Sequence, residues 1–402
     1  MLDHEFLRHP YPVYRRLVEG EAMQLAPLFN GSWICGHYSE CIDLLRDPRL
    51  SSAGADSFIH TLPPEDRAQF EPFGELFRRW LVFQNGATHR QIRKLLYPSF
   101  APDAVEELHA RIRVVTDLLI DSIARQQGGD VIRDLAYPLP TMVIGELLGV
   151  PEEHREWLIR WTQGIADLIG APQATIELAQ RAQSAILDAT ALFQGLITER
   201  RKNPADDLLS RMLRPDEEGA VIDGEELAIQ CVVLMLAGHE TTRNLIGNAV
   251  YLLLQHGGAW RSLRDDPELL RSAVEEVLRY ESPTRFVGRV FLEDGEFAGV
   301  SVKAGQLVVT MLGAANRDPR QYPNADEFDV ARKNNAHLAF GAGAHSCLGA
   351  NLARLEGRSA IGALVERFPN LTLYREPEWA PSAIFRGLQS LPVSVPLAAS
   401  RP

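Results

Sequence analysis

Residues 340–349 read Phe340-Gly341-Ala342-Gly343-Ala344-His345-Ser346-Cys347-Leu348-Gly349, and good helix formers follow from Ala350 to Arg354. A cysteine just ahead of a helix faces unpaired backbone N–H groups and the positive end of the helix dipole, and both favour thiolate over thiol. Gly341, Gly343 and Gly349 let the backbone close around the sulfur. A thiolate in that setting is a metal ligand. Zinc would need three more Cys, His or Asp ligands at matched spacing, yet Cys35, Cys41 and Cys231 lie far off and form no C-x2-C pair. A lone thiolate suits haem iron, whose porphyrin fills the equatorial positions. A structural cysteine in a glycine-rich turn explains any one of these residues, but not the whole spaced set.

The pattern F-G-x-G-x-H-x-C-x-G, with L-A-R at Leu352 to Arg354, resembles the cysteine loop of the cytochrome P450 family. The resemblance implies a mainly α fold with small β-sheets, in which haem b lies between a long central helix and the cysteine-loop helix. Cys347 would be the axial metal ligand, with Phe340, Gly341, His345 and Gly349 around the cofactor. No repeat, low-complexity tract or linker interrupts the sequence, so residues 1–402 read as one domain.

Composition agrees with a soluble globular protein: 46% hydrophobic and 23% charged residues. A net charge of −12 argues against nucleic acid as a partner. The N-terminus, Met1 to Phe6, has no apolar run and reads as neither signal peptide nor membrane anchor. Four cysteines without disulfide spacing suggest a reducing compartment. The expectation is a cytoplasmic monomer.

Along the chain, residues 10–20 read as a short helix, and Met23 to Leu28 and Ser32 to Cys35 as a hairpin around Asn30-Gly31. A short helix at Tyr38 to Leu45 stops at Asp47-Pro48, and residues 50–86 lose periodicity. Helical spacing then marks Val105 to Ile123, Pro140 to Leu148, Glu152 to Ile169 and Thr175 to Arg200, with Gly128-Gly129 as a turn. The stripe Trp157, Trp161, Ile165, Leu168 reads as core more readily than as pocket. After Pro283 the pattern turns to strands at Arg289 to Leu292, Phe297 to Val302 and Gln306 to Leu312. A last helix, Leu352 to Arg367, precedes small strands at Leu371 to Tyr374 and Leu391 to Val395.

Glu225 to Gln255 reads as a long helix too polar at its middle for a membrane, where Gly238-His239-Glu240-Thr241-Thr242-Arg243-Asn244 stand together. It is therefore a buried central helix. Gly238 weakens it, and the Thr241 hydroxyl can bond back to the Ala237 carbonyl and open the ladder. Residues alone favour a structural kink, since buried polar groups can merely satisfy each other. The resemblance makes Ala237 to Thr242 the oxygen-binding segment, with Ala237 and Gly238 against the cofactor. Glu240 and Thr241 match the family's acid–alcohol pair that moves protons.

E-x-x-R at Glu276 to Arg279 is a weak motif by itself. In its order between the two stronger motifs it resembles the family's structural ion pair, with Arg332 as third member. His89 and Arg93, four apart on one helical face, read as a solvated basic face by spacing alone. By resemblance they hold a haem propionate, with Arg289 and His345 as further clamps. The family often has Asp-Pro-Pro before this histidine, whereas this chain has Asn85-Gly86-Ala87.

The resemblance implies a monooxygenase that uses O2 and electrons from NAD(P)H. No flavin or iron–sulfur motif is present, so a ferredoxin and its reductase are the expected donors, met by Arg93, Lys94, Arg111, Arg113 and Arg354. The expected substrate is a hydrophobic natural product or lipid-like molecule, as in secondary metabolism, and hydroxylation is the default outcome. Phe58, Phe83, Leu236, Thr284, Arg285, Phe286, Val287, Ile384 and Phe385 are the candidate pocket lining, Arg285 offering a cation to a substrate carboxylate. Two other readings stand beside this one: a hydrogen-peroxide-dependent peroxygenase and a non-catalytic haem-thiolate sensor. Glu240 and Thr241 favour neither.

Overall fold

Asp223 starts the helix on which much of the molecule packs. Its carboxylate accepts from the N–H groups of Glu225 (2.9 Å) and Glu226 (3.4 Å), a strong helix N-cap. The helix then runs unbroken through Gly224–Gln255 and is buried over most of its length. The computed structural model describes residues 4–27, 31–53, 64–171, 174–215, 219 and 221–395.

In chain order the main helices are α1 (Tyr11–Glu19), α2 (Tyr38–Arg46), α3 (Glu71–Arg78), α4 (Gly86–Leu96), α5 (His109–Gln126), α6 (Pro138–Leu147), α7 (Arg155–Gly170), α8 (Ile176–Lys202), α9 (Gly224–Gln255), α10 (Leu269–Tyr280) and α11 (Ala350–Arg367). The strands are β1 (Met23–Ala26), β2 (Ser32–Cys35), β3 (Leu50–Ser51), β4 (Gly128–Asp130), β5 (Val287–Phe291), β6 (Gly295–Phe297), β7 (Val300–Val302), β8 (Leu307–Thr310), β9 (Thr372–Leu373), β10 (Glu378–Trp379), β11 (Leu388–Ser390) and β12 (Pro392–Ser394). Helix α9 packs against α6, α7, α8, α10 and α11. The mainly α fold with small sheets follows the sequence expectation.

The larger sheet has the order β1-β2-β8-β5-β3, with β2–β8 the parallel pair. Strand β8 is Leu-Val-Val-Thr, an apolar run without alternation, as a strand covered on both faces requires. One side of this sheet packs on α1 through Phe6, Tyr14, Ile34, Phe286 and Met311. The other side meets α2 and the segment before the cysteine loop through Cys41, Leu44, Phe291 and Leu338. A buried ion pair closes the first side: Arg386 Nε donates to Glu281 Oε1 at 2.8 Å, and Tyr11 Oη donates to Glu281 Oε2 at 2.5 Å.

Three local readings are corrected. Gly128-Gly129 is not a free turn: it is strand β4, paired with β12 more than 260 residues away. Residues 297–302 are not one strand, because Ala298 (φ 46°) and Gly299 (φ 78°) turn the chain between β6 and β7. Residues 64–83 are not irregular: α3 buries Phe73 and Phe77, and Trp80 packs 4.3 Å from the Phe77 ring. Phe58 and the hairpin tip at Asn30 lie outside the described residues. The stripe on α7 is core, with Trp161, Ile165 and Leu168 buried. Among the described residues, no helix is long and apolar enough to cross a membrane.

Candidate active site

The cysteine loop is shaped by its glycines. Gly341 (φ 65°) and Gly343 (φ 72°) take left-handed conformations, and a Cβ on Gly343 would come within 2.6 Å of the Leu45 carbonyl at the end of α2. The Cys347 N–H donates to Phe340 O at 2.8 Å, which closes the loop and presents the side chain. Cys35, Cys41 and Cys231 are buried, whereas Cys347 is exposed. Burial of the sulfur among its neighbours still pushes the thiol up, and the Gly349 N–H, Arg93 and Arg354 offset only part of that. A cation bound at the sulfur would favour the thiolate, as the backbone donors do. No three His, Cys, Asp or Glu side chains cluster for a metal among the described residues.

Beside this loop stands a nest of cationic side chains. The His89 and His345 rings lie 4.2 Å apart. Arg93 Nη2 donates to Ser346 Oγ at 3.3 Å, and buried Arg289 donates to its neighbour's carbonyl, Gly288 O, at 2.7 Å. Burial lowers the His345 pKa to about 3, helped by repulsion from Arg289, His89 and Arg93; His89 is lowered by burial and by Arg93 and Arg90. Among the described residues none of the four meets a carboxylate. A buried guanidinium such as Arg289 without an anion is costly, and two carboxylates placed among these four would relieve the cost and accept from the imidazole N–H groups. In place of Asp-Pro-Pro, Asn85 sets the start of α4: its Oδ1 accepts from Ser52 N at 3.1 Å, its Nδ2 donates to Ser51 Oγ at 2.9 Å, and Gly86 (φ 60°) makes the turn.

The E-x-x-R pair is fully buried. Arg279 Nε and Nη2 each reach Glu276 at 2.8 Å, and Arg332 Nε reaches it at 3.1 Å. Arg279 Nη1 also donates to Asn316 O (2.9 Å) and Ala325 O (2.8 Å), while Asp329 N–H and Asn335 complete Glu276. The triad staples α10 to the segment leading into the cysteine loop.

On α9 the burial breaks at mid-helix. Ala237 is exposed, and Gly238 and Thr241 are half-buried, while Val232 to Leu236 and His239-Glu240 are buried. Thr241 Oγ1 donates to Ala237 O at 2.9 Å, as its position in the helix predicts. Glu240 turns the other way. Arg243 Nη1 donates to both its oxygens (3.1 and 2.9 Å), and Asn244 Nδ2 to Oε1 at 3.2 Å. The sequence reading missed Arg243, although the three-residue spacing from Glu240 was a visible signal.

The Cytochrome P450 family model matches residues 64–268 and 261–381. The chain is 38% identical over 398 residues to the biotin biosynthesis cytochrome P450 of Bacillus subtilis (strain 168), covering 97% of each. It is 36% identical to the cytochrome P450 monooxygenase PikC of Streptomyces venezuelae, covering 98% of this chain and 92% of that one. The fold superposes on the crystal structure of P450BioI in complex with hexadec-9Z-enoic acid ligated acyl carrier protein, with TM-score 0.90, 36% identity, and 97% and 99% coverage.

This chain belongs to the cytochrome P450 family. It is a P450 monooxygenase, and P450s carry haem b on a cysteine thiolate. The residues present fit that group: one exposed cysteine in a glycine loop, and a cationic nest that needs two carboxylates.

Several expected P450 contacts stand differently. Arg285 does not offer its charge to a pocket: it is 1% exposed, its Nη2 donates to Leu7 O at 2.8 Å, and it lies over the Phe6 ring. Phe286 is likewise buried in the α1 cluster. The reason is the N-terminal segment: the Leu7 carbonyl takes the guanidinium, and the cluster of Phe6 and Tyr14 takes the Phe286 ring. Thr284 bridges Phe385, and Ile384 O accepts from Arg285 N–H at 2.8 Å, so the 284–287 and 384–385 segments lie side by side. Thr284, Val287, Ile384 and Phe385 are half-buried, as is Phe83, 5.1 Å from Phe77, whereas Leu236 is buried. The basic surface expected for a redox partner is largely neutralised: Arg111 pairs with Glu146 (2.7 Å), Arg113 with Asp117 and Glu366 (2.9 and 3.0 Å), and Arg354 with Glu275 (2.8 Å).

Proposed function

We propose that this P450 inserts one atom of O2 into a hydrophobic natural product or lipid-like molecule, by hydroxylation, with electrons from NAD(P)H through a ferredoxin and its reductase. The observation that carries the reading is the acid–alcohol pair on α9, Glu240 held on the protein side and Thr241 on the open side. A peroxygenase or a sensor needs no such pair. A lipid-like substrate is supported by the relatives: one is named for biotin biosynthesis, and the BioI structure holds a fatty acyl chain on its carrier protein. We take the 402 residues to act as one domain.

Cys347 would ligate the iron, with Phe340, Gly341 and Gly349 shaping the loop. His89, Arg93, Arg289 and His345 would hold the two propionates. Haem b bound through a thiolate supplies activation of O2 and the oxidising power. The chain's own part is positioning, dryness and protons. Ala237 and Gly238 leave room at mid-helix, and Leu236, Phe83, Thr284, Val287, Ile384 and Phe385 keep the substrate side apolar. The Thr241 hydroxyl gives up its bond to Ala237 O to donate toward the cavity, and Glu240 restores its proton.

Steady product with NADPH, a surrogate ferredoxin and its reductase is the expected result. Product with hydrogen peroxide alone at equal rate would favour the peroxygenase, and no product with either would favour the sensor. In Thr241→Ala, product per NADPH consumed falls by about a hundredfold while haem stays bound, the low end of general acid–base catalysis. Unchanged coupling would remove Thr241 from the relay. In Arg289→Ala, loss of a charge-assisted hydrogen bond, roughly 1.5–3 kcal/mol, should speed haem transfer to apomyoglobin by about 10- to 100-fold. Wild-type transfer rates would show that Arg289 holds no propionate.

A further inference from the structure

Among the described residues two buried Glu–Arg pairs stand at helical spacing, and they are built differently. In the Glu276–Arg279 pair every guanidinium nitrogen has an acceptor. In the Glu240–Arg243 pair, Arg243 Nε has none among the described residues. Near it Asn244 Oδ1 and Asn248 Oδ1 are also buried without partners among the described residues. Buried polar atoms left unpaired are uncommon and mark places where a structure serves something besides stability. A buried ion pair is itself weak evidence of stabilisation.

The guanidinium is nonetheless held firmly. Arg243 Nη2 donates to Leu388 O at 3.1 Å, and the cation lies 5.0 Å from the centre of the Tyr137 ring. The turn before Leu388 presses on the neighbouring residue, where a Cβ on Gly387 would come within 1.8 Å of Asn244 Oδ1. Elements from three distant parts of the chain thus converge on one carboxylate that stands next to Thr241 in sequence.

We propose that Arg243 is a positioning residue for proton delivery: it holds the Glu240 carboxylate on the protein side of α9 and sets the pH range over which Glu240 can recharge Thr241. The inference rests on Glu240 being the acid of the pair, as proposed above. The proton balance is simple. The Glu240 carboxylic acid gives its proton to the Thr241 oxygen as the Thr241 hydroxyl proton leaves toward the cavity. The resulting carboxylate, paired with Arg243, then takes one proton from solvent. Tyr137 Oη donates to Gln163 Oε1 (2.9 Å), and Gln163 Nε2 to Asp167 Oδ1 (2.6 Å), which leads from the clamp to a half-buried carboxylate on α7.

Glu240 faces Arg243 and Asn244 on its own helix, Tyr137 ahead of α6 and Asp167 on α7, while the Leu388 carbonyl on β11 and the His239 ring adjoin this group through Arg243 and Tyr137. Burial pushes its carboxyl up; Arg243 and Asn244 pull it back, and Asp167 adds to the rise. His239, lowered to about 3 by burial and by Arg243, stays neutral. Tyr137 is raised by burial and stays a phenol. Taking Arg243 away therefore leaves only Asn244 to oppose the upward influences.

The test follows the carboxyl itself and turnover in the haem-loaded protein. In Arg243→Met, the infrared band of a protonated carboxylic acid, assigned by its loss in an E240Q background, should persist to a pH higher by at least about one unit, a tenfold change in proton affinity. The pH profile of product per NADPH should move up with it. Arg243→Lys, which keeps the charge, should restore both toward wild type. Coincident titrations in wild type and Arg243→Met would overturn the proposal, as would failure of both variants to load haem, which would make Arg243 part of the fold alone. E240Q separates the two layers: if it leaves coupling intact, the acid assignment fails first, whereas an uncoupled E240Q with an unmoved Arg243→Met profile sinks the Arg243 role alone.

Discussion

Cys347→Ser should reduce NADPH-driven product to background and abolish the red-shifted Soret band that the reduced, carbon-monoxide-bound form owes to thiolate ligation. Serine nearly matches cysteine in size, and the loop's closing bond, Cys347 N–H to Phe340 O at 2.8 Å, is made by the backbone. The left-handed turns at Gly341 and Gly343 are likewise untouched. Only the axial donor changes. An alcohol stays protonated where a thiol can ionise against a metal cation, so the electron donation that favours O–O cleavage is lost. The cationic nest of His89, Arg93, Arg289 and His345 remains, and haem content measured by pyridine haemochrome should fall far less than activity. A serine variant that keeps the thiolate spectrum would transfer the axial role to another side chain.

Glu276→Ala should yield little haem-loaded protein and a large loss of thermal stability. Glu276 and Arg279 are both 0% exposed, and the carboxylate accepts from Arg279, Arg332, Asn335 and the Asp329 N–H. Removing it strands one fully buried guanidinium and one nearly so. Breaking such a pair from one side costs about 3–5 kcal/mol, a large part of the roughly 5–15 kcal/mol by which a domain is stable. The damage should spread to the cysteine loop, because Arg279 and Arg332 also hold the carbonyls of Ala325, Glu327, Pro323 and Asn324 in the preceding segment. The measurements are haem per protein and the unfolding midpoint. An Ala variant with wild-type values in both would show that the pair staples nothing.

Motifs whose meaning lies within a few residues were legible before any coordinates. The cysteine loop, E-x-x-R and the Ala237–Thr242 segment combine fixed spacing with residue types that only certain chemistry wants. Helix α9 was equally plain, since thirty residues of apolar content with a polar middle admit few other readings. Where local periodicity was weak, the reading slipped: α3 is eight residues long, and its Phe73 and Phe77 count as core only once Trp80 and Phe83 close on them. Arg111 and Arg354 read as free cations because their carboxylates come from other elements, whereas the Arg113–Asp117 pair at four-residue spacing was there to be read.

By itself, then, the sequence determined the family pattern, the long central helix and most of the other helices, and it singled out Cys347 and its basic neighbours as candidates, because each rests on short-range spacing. Tertiary structure decided which way those charges face. Arg285 binds Leu7 O across 278 residues, and Arg243 reaches Leu388 O across 145, so the direction of each guanidinium depends on which segment desolvates it first. Hydrogen bonds to buried cations are short-ranged, and no local pattern records the partner that folding will bring.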